Sequence, residues 1–240
     1  MRKIKLMLSV LTVLSLVIGV CFLINKEEYS YYLAIGDYVS NDVVIDDVLI
    51  EGFANKVGDS LKVNKIVNEF NLGYIKNNVT SKKLLEMIEK DSYLKKEDGL
   101  VSLIKKSKYI TITLGFNDLL NYIKYDSNKD KLIYDKEIIS NKIEVFKHNY
   151  YKIVEEIKDI NENAKVILVG CYCIYGDNDL EGLINKNIKE VAIETNQHYV
   201  DVSKIKDKCM YMENELYLTN KGQEKIYQLV INYINEIDKI

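Results

Sequence analysis

Short apolar runs alternate with amphipathic stretches along most of this 240-residue chain. Runs typical of strands lie at 31–35, 66–72, 108–114, 166–169 and 199–202, and apolar residues recur at helical spacing in 48–61, 80–88, 100–106, 137–160, 180–195 and 218–237. The run 166–169 is apolar throughout, as expected of a strand covered on both faces. This alternation predicts a three-layer α/β/α sandwich around a parallel sheet of about five strands.

Polar motifs follow three of these segments, where sites form in parallel sheets. The sequence GDYVS occupies 36–40, GFND occupies 115–118, and NELYLTN at 214–220 leads into the last helix. Local signals predict Thr80 as a helix cap, Asn220 with Gln223 as a capping box, and a charged loop over 126–136.

In their order and strand context, these motifs resemble the blocks of the SGNH (GDSL-type) hydrolases over about residues 30–240. YLAIGD at 32–37 is similar to the first block, where Gly-Asp precedes the nucleophilic Ser. TITLGFND at 111–118 is similar to the third block, Gly-x-Asn-Asp, and LTNKG at 218–222 to the end of the last block. The resemblance implies an acyl-transfer site with a Ser-His-Asp triad and an oxyanion hole, the latter formed by the Ser N–H, a Gly N–H from the second block and the Asn side chain.

The chain departs from that family pattern at all three triad positions. Tyr38 stands at the Ser position, Asn214 at the Asp position and Tyr217 at the His position. The second-block Gly position matches Asn78 best, with Gly73 as the alternative. Only Asn117 is retained.

Substitutes for the missing groups are hard to find. Ser40 lies two residues past the nucleophile position and is expected to be a helix cap. A phenol at position 38, with a pKa near 10, is a poor nucleophile without a base. His148 lies within the long helix and His198 begins the last strand, so neither maps to the catalytic place.

The retained Asn-Asp pair also has a structural interpretation. Asn117 can end a strand turn, and Asp118 can cap the helix that follows it.

The amino terminus carries a membrane signal. Arg2, Lys3 and Lys5 precede an uncharged apolar run at 6–24, which as a helix would be about 28 Å long against a bilayer core of about 30 Å. We expect 1–27 to be a membrane segment and 28–240 the hydrolase-like domain. The charges before the run are all basic, while Lys26, Glu27 and Glu28 after it sum to −1. This bias predicts a single-pass protein with its amino terminus in the cytoplasm and its domain outside the cell membrane. A cleaved signal with a secreted product, and a lipoprotein at Cys21, are the alternatives.

The net charge and the cysteine spacing limit the kinds of ligand that this chain is expected to bind. Residues 27–240 hold 29 basic against 36 acidic side chains, a net charge of −7, which argues against nucleic-acid binding. The spacing of Cys171 and Cys173 is not that of a metal site, and no metal or cofactor is expected. Cys173 and Cys209 could form a bridge or remain thiols.

Three functions are compatible with these residues. The first is a tethered protein that has lost esterase chemistry and binds a ligand or partner of the cell envelope. The second is a divergent, active esterase or acyl-hydrolase on lipid or acylated carbohydrate, and the third is a structural envelope protein. No residue pattern identifies the ligand or partner.

Overall fold

A computed structural model describes residues 30–45, 47–92, 99–129, 131–172, 177–205 and 217–238. In chain order its elements are β1 Tyr31–Gly36, β2 Val43–Ile45, β3 Val48–Ile50, α1 Phe53–Val63, β4 Glu69–Ile75, α2 Ser81–Glu89, α3 Leu100–Lys106, β5 Ser107–Thr113, α4 Phe116–Leu119, β6 Ile123–Asp126, β7 Lys131–Tyr134, α5 Lys136–Ile160, β8 Lys165–Val169, α6 Asn178–Glu194, β9 His198–Val200 and α7 Asn220–Asp238, with single turns of 3₁₀ helix at Tyr38–Ser40 and Leu120–Tyr122.

The centre of the fold is a five-stranded sheet in the order β4-β1-β5-β8-β9. All four neighbouring pairs are parallel, which confirms the predicted parallel sheet. Strands β1, β5 and β8 are almost entirely buried, so both faces of the sheet are covered. Helices α1 and α7 pack together on one face, while α2, α3, α4 and α6 gather around α5 on the other.

The predicted helix at 48–61 is wrong at its start. Residues 48–50 pair antiparallel with 43–45, and α1 begins only at Phe53. Asp47 has a positive φ of 62°, which suits a tight hairpin turn. The Gly52 N–H donates to Asp42 Oδ1 at 2.7 Å, so a polar bond separates the hairpin from the helix that the apolar spacing had merged with it.

Two further boundaries differ from the sequence-based prediction. Strand β4 begins at Glu69 rather than 66, because Ile66 belongs to the turn after α1 and its N–H bonds to the Leu61 carbonyl at 2.8 Å. The predicted loop at 126–136 instead forms part of the β6–β7 hairpin and the first residue of α5. The short apolar run at 132–134 is typical of a strand, but the charged residues on either side of it obscured that signal.

Thr80 caps α2 as predicted, accepting from the Lys83 N–H at 3.3 Å. The predicted capping box of α7 is wrong. Thr219 Oγ1 accepts from the Gly222 N–H at 3.3 Å, while the side chains of Asn220 and Gln223 bond to distant backbone.

Among the helices of the described ranges, none is both long enough and apolar enough to span a bilayer. The predicted membrane segment at 6–24 lies outside those ranges, as do Cys173 and Cys209 of the suggested bridge.

Candidate functional site

The carboxyl end of β1 is locked against β5 at a glycine. Gly36 has φ 124°, and a Cβ on it would lie 2.0 Å from the Thr113 carbonyl oxygen. The next N–H, of Asp37, donates to that same carbonyl at 2.9 Å. Glycine permits this close approach, and the backbone of 38–40 then turns sharply at the carboxyl end of β1. The structure describes the backbone of Tyr38 but not its side chain.

Asp37 and Ser40 are buried beneath that turn, each with about 1% of its surface exposed. The Asp37 carboxyl accepts from the Val39 N–H at 3.3 Å. Burial raises the pKa of Asp37 to about 7, and the negative charge of Asp118 raises it further, while bonds from Val39 and Thr113 oppose the rise.

The Ser40 hydroxyl is tied to the loop that carries it. Its Oγ donates to the Asp37 carbonyl at 3.2 Å and lies 3.1 Å from Thr113 Oγ1. Neither partner is a base that could activate it. Ser40 therefore fixes the strand end rather than capping a helix N–H, which corrects its expected role while keeping it structural.

Asn117 follows Gly115 on the short helix α4 and is buried, with 6% of its surface exposed. Its Nδ2 donates to the Asn77 carbonyl at 3.1 Å and to the Val79 carbonyl at 3.0 Å. Two carbonyl oxygens need donors, so this orientation of the amide is fixed by its partners. Both N–H groups are thereby used on the loop between β4 and α2, and Oδ1 is buried without a partner among the described residues.

Asp118 holds the start of α2. Both of its carboxylate oxygens accept from the Ser81 N–H at 3.0–3.1 Å, and Oδ1 accepts from Ser81 Oγ at 2.5 Å. Burial raises the pKa of Asp118, and the bonds from Ser81 oppose that rise. The prediction that Asp118 caps the helix following it is therefore wrong, because it caps a helix that precedes it by 37 residues.

The two candidates for the second-block position lie in different places. Asn78 is exposed in the turn after β4, between the two residues whose carbonyls Asn117 holds. Gly73 lies inside β4 where the register with β1 shifts, and its N–H bonds to Asn71 Oδ1 at 2.9 Å. Of the two, only Asn78 lies on the loop between β4 and α2 that Asn117 holds.

The start of α7 closes this edge of the sheet with two amide side chains. Gln223 accepts from the Phe53 N–H at 3.0 Å and donates to the Val39 carbonyl at 3.1 Å. Asn220 accepts from the Glu51 N–H and donates to the Leu49 carbonyl, both at 3.0 Å. The sequence identified both residues by their polarity and their spacing of three, but it gave no indication of the distant backbone groups that they bind.

Tyr217 lies just before α7 and is half-buried. Asn214, at the triad Asp position, lies outside the described residues.

Both histidines lie away from this edge. His148 is exposed on α5. His198 lies 3.5 Å from the Tyr233 hydroxyl, thirteen residues along α7 from its start, or about 20 Å. Burial, with help from Lys165 and Lys158, lowers the pKa of His198.

The one described cysteine, Cys171, follows β8 and is also structural. Asn185 accepts from its N–H at 2.7 Å and donates to its carbonyl at 2.8 Å. Burial raises the pKa of the Cys171 thiol well above its ordinary value, which disfavours the reactive thiolate.

Within the described part of the chain, this edge therefore offers hydroxyls and carboxyls held by backbone bonds, and no Ser or Cys beside a histidine. The geometry resembles a hydrolase site in its frame, with the strand ends, the Asn-Asp pair and the last helix brought together. It can hold the loops in place, but the described groups do not form a nucleophile–base pair.

Known proteins share this frame. The solved lipase Lip_vut3 from a goat rumen metagenome is similar with a TM-score of 0.64 at 18% identity, covering 84% of this chain and 96% of that one. The psychrotrophic esterase EstA from Pseudoalteromonas sp. gives 0.60 at 15% identity over 88% and 99%. A catalytic mutant of Axe2, an acetylxylan esterase from Geobacillus stearothermophilus, gives 0.60 at 14% over 84% and 92%.

One curated relative is the uncharacterized protein YpmR of Bacillus subtilis (strain 168). It is 25% identical over 182 residues, and the match spans 72% of this chain and 66% of the relative. The family model of the GDSL-like lipases and acylhydrolases matches residues 33–230. This range includes nearly every strand and helix of the domain. The resemblance of the three sequence motifs is thus confirmed, and this chain belongs to the GDSL-like lipase/acylhydrolase family.

Proposed function

We propose that this chain is a member of the family that has lost ester hydrolysis and acts outside the cell membrane as a binding or structural protein of the envelope. The observation that carries the proposal is the pair of bonds from Asn117 Nδ2 to the carbonyls of Asn77 and Val79. In the family, this amide is expected to hold the oxyanion. Here both of its N–H groups are already used, so this side chain could stabilise a developing negative charge only by releasing the loop.

The residues at the triad positions support the same conclusion. Tyr38 and Tyr217 stand where Ser and His are expected. A phenol has a pKa near 10 and needs a base to attack an ester. The two aromatic side chains suit contact with a sugar ring or a protein partner better than proton transfer.

Ser40 is the main rival nucleophile under the alternative of a divergent active esterase. One observation favours that alternative: Ser40 and the titratable Asp37 share Thr113 as a neighbour. Against it, Ser40 is about 1% exposed and its hydroxyl donates to the Asp37 carbonyl, so a substrate could not reach it without opening the turn.

Labelling with a fluorophosphonate decides between the two, because this reagent forms an adduct only with an activated hydroxyl. Full-length protein in detergent is treated with the reagent, and its intact mass is measured. We expect no adduct on the native protein, and the same result for Ser40→Ala. An adduct on native protein that Ser40→Ala removes would replace our proposal with the active-esterase alternative.

The tether has its own test. A chain anchored through 6–24 should fractionate with membranes at full length, resist extraction by high salt, and be digested by protease added outside the cell. A mature amino terminus near residues 20–30 in the medium would refute the anchor and support a cleaved signal.

A further inference from the structure

Five lysines surround the point where the chain enters the sheet. They lie on the turn from α1 into β4 and on the segment from α3 into β5, and we call them the lysine collar: Lys62, Lys65, Lys105, Lys106 and Lys108. The two strands they precede are the neighbours of β1, since Tyr31 pairs with Glu69 on one side and Ser107 on the other. The collar therefore borders the amino end of β1.

Hydrogen bonds hold the turn after α1 against the start of β1, and one collar lysine contacts an aromatic ring there. The Ser30 carbonyl accepts from the Asn68 N–H at 2.8 Å, and Ser30 Oγ donates to the Ile66 carbonyl at 3.3 Å. Lys106 Nζ lies 5.7 Å from the centre of the Tyr31 ring. Ser30 and Tyr31 thus lie beside the collar, at the end of the sheet opposite the candidate site.

The collar is basic although the domain is acidic. Within 62–69 and 105–108 the only acid is Glu69, which pairs with Lys62 at 2.7 Å. Lys108 pairs with Asp238 at 2.8 Å. Lys65 and Lys105 are exposed and form no ion pair with a described residue. Asn161 donates to the carbonyls of Lys105 and Ser107, so Asp159, Glu162 and Lys158 also lie at this end of the sheet. The collar with Lys158 and Lys165 gives seven lysines against four acids, namely Glu69, Asp159, Glu162 and Asp238, whereas residues 27–240 as a whole carry a net charge of −7.

We propose that the lysine collar rests on an anionic phospholipid surface, that of the membrane holding segment 6–24. This inference builds on the proposed tether. The linker 25–30 has six residues and reaches at most about 20 Å, so the collar cannot lie far from the headgroups. Lysines near a bilayer are attracted by anionic lipid, and the linker itself, with Lys26, Glu27 and Glu28, does not supply that attraction.

The consequence concerns the orientation of the site. Strand β1 has six residues and is about 20 Å long, so the turn at Asp37 lies about that far from the collar, at the other end of the strand. With its collar on the lipid, the site edge faces the aqueous side. Its ligand is then a soluble molecule or a polymer beyond the membrane rather than a lipid in the same bilayer.

Acetylation of lysines in vesicles tests this orientation. Full-length protein is reconstituted in phosphatidylcholine vesicles with or without about one third phosphatidylglycerol, a fraction that gives a strongly negative surface. It is then treated briefly with an N-hydroxysuccinimide acetate. We expect acetylation of Lys65 and Lys105 to fall several-fold in the anionic vesicles and to recover in about 0.5 M salt, where screening is short-ranged. Lys124 and Lys131, on the β6–β7 hairpin after β5, serve as internal controls and should not change.

A matched pair of variants sharpens the test. Lys65→Gln with Lys105→Gln should abolish the protection of Lys62 in anionic vesicles, whereas Lys124→Gln with Lys131→Gln should leave it intact. Equal acetylation of the collar in both kinds of vesicle would overturn the proposal. Flotation with pure phosphatidylcholine vesicles tests the tether separately, because the collar has no anionic partner there.

Discussion

The side-chain amide of Asn117 donates to the Val79 carbonyl at 3.0 Å, joining the end of β5 to the loop after β4. A second bond runs to the Asn77 carbonyl, so one residue holds both sides of Asn78. Both side-chain N–H groups of this motif residue are thus used to hold the loop after β4.

Replacing Asn117 with Ala should destabilise the domain by about 1–3 kcal/mol, because two carbonyls lose their donor, one of them on buried Val79. The measurement is urea unfolding of the full-length protein in detergent. Asn78→Ala, in the exposed turn between the two carbonyls, is the control and should cost less than about 0.5 kcal/mol. Equal losses for the two variants would show that the bonds of Asn117 do not stabilise the loop.

The free energy of unfolding should decrease as the pH rises, because of Asp37. Its pKa is raised from 3.8 to about 7 by burial, so the folded state favours the protonated acid. The stability is fully present below the unfolded pKa of 3.8 and is lost as the pH rises through about 7. Three pKa units correspond to a loss on the order of 4 kcal/mol.

Asp37→Asn should flatten this dependence and raise stability at pH 8, measured by urea unfolding at pH 5, 7 and 8. Asp118→Asn removes the half-buried carboxyl whose charge raises the pKa of Asp37 and whose own pKa is also raised, so it measures the contribution of Asp118 to the pH dependence. If Asp37→Asn destabilises the protein equally at all three pH values, the buried carboxyl is charged throughout and our assignment is wrong.

The parallel sheet was predictable from sequence because β1 and β8 are short apolar runs, β5 alternates polar with apolar residues, and stretches with helical spacing separate them. The hairpins were not. Val44 and Leu49 face each other on β2 and β3 with 65% and 58% of their surface exposed, so their apolar pattern carries no signal of burial. A three-residue strand beside a helix start also gives too little periodicity to separate the two.

At the site, the sequence identified the right edge but not the hydrogen bonds. Position 117 could be named from the motif, whereas its partners at 77 and 79 depend on where β4 ends, which was misplaced by three residues. Gln223 was singled out for a cap on its own helix. Its bonds to Phe53 and Val39 cross 170 and 184 residues, and no local pattern encodes them.

Gln223→Ala should cost about 2–4 kcal/mol, because it leaves the Phe53 N–H and the Val39 carbonyl unpaired in a buried position. Thermal unfolding followed by circular dichroism measures the effect. Gln228→Ala, at an exposed position five residues further along α7, should change stability by less than about 0.5 kcal/mol. A Gln223→Ala variant as stable as Gln228→Ala would rule out a clamping role.

Restoring the nucleophile alone should not restore hydrolysis. Tyr38→Ser places a hydroxyl at the family position, but position 217 remains a phenol and no described histidine lies at that edge. Adding Tyr217→His leaves Asn214, and an Asn for Asp change costs about 10⁴-fold in a known triad. The triple variant with Asn214→Asp should be at best weakly active, since Asn117 still donates to the loop. Robust turnover by Tyr38→Ser alone would reveal a base already in place.

Turnover of p-nitrophenyl acetate by the full-length protein is the most direct test of the loss of ester hydrolysis. The release of p-nitrophenol is followed against buffer and against Ser40→Ala at matched concentration. We predict that the native protein and Ser40→Ala both release p-nitrophenol at the buffer rate. Steady turnover by the native protein that Ser40→Ala abolishes would contradict the account and make Ser40 the nucleophile.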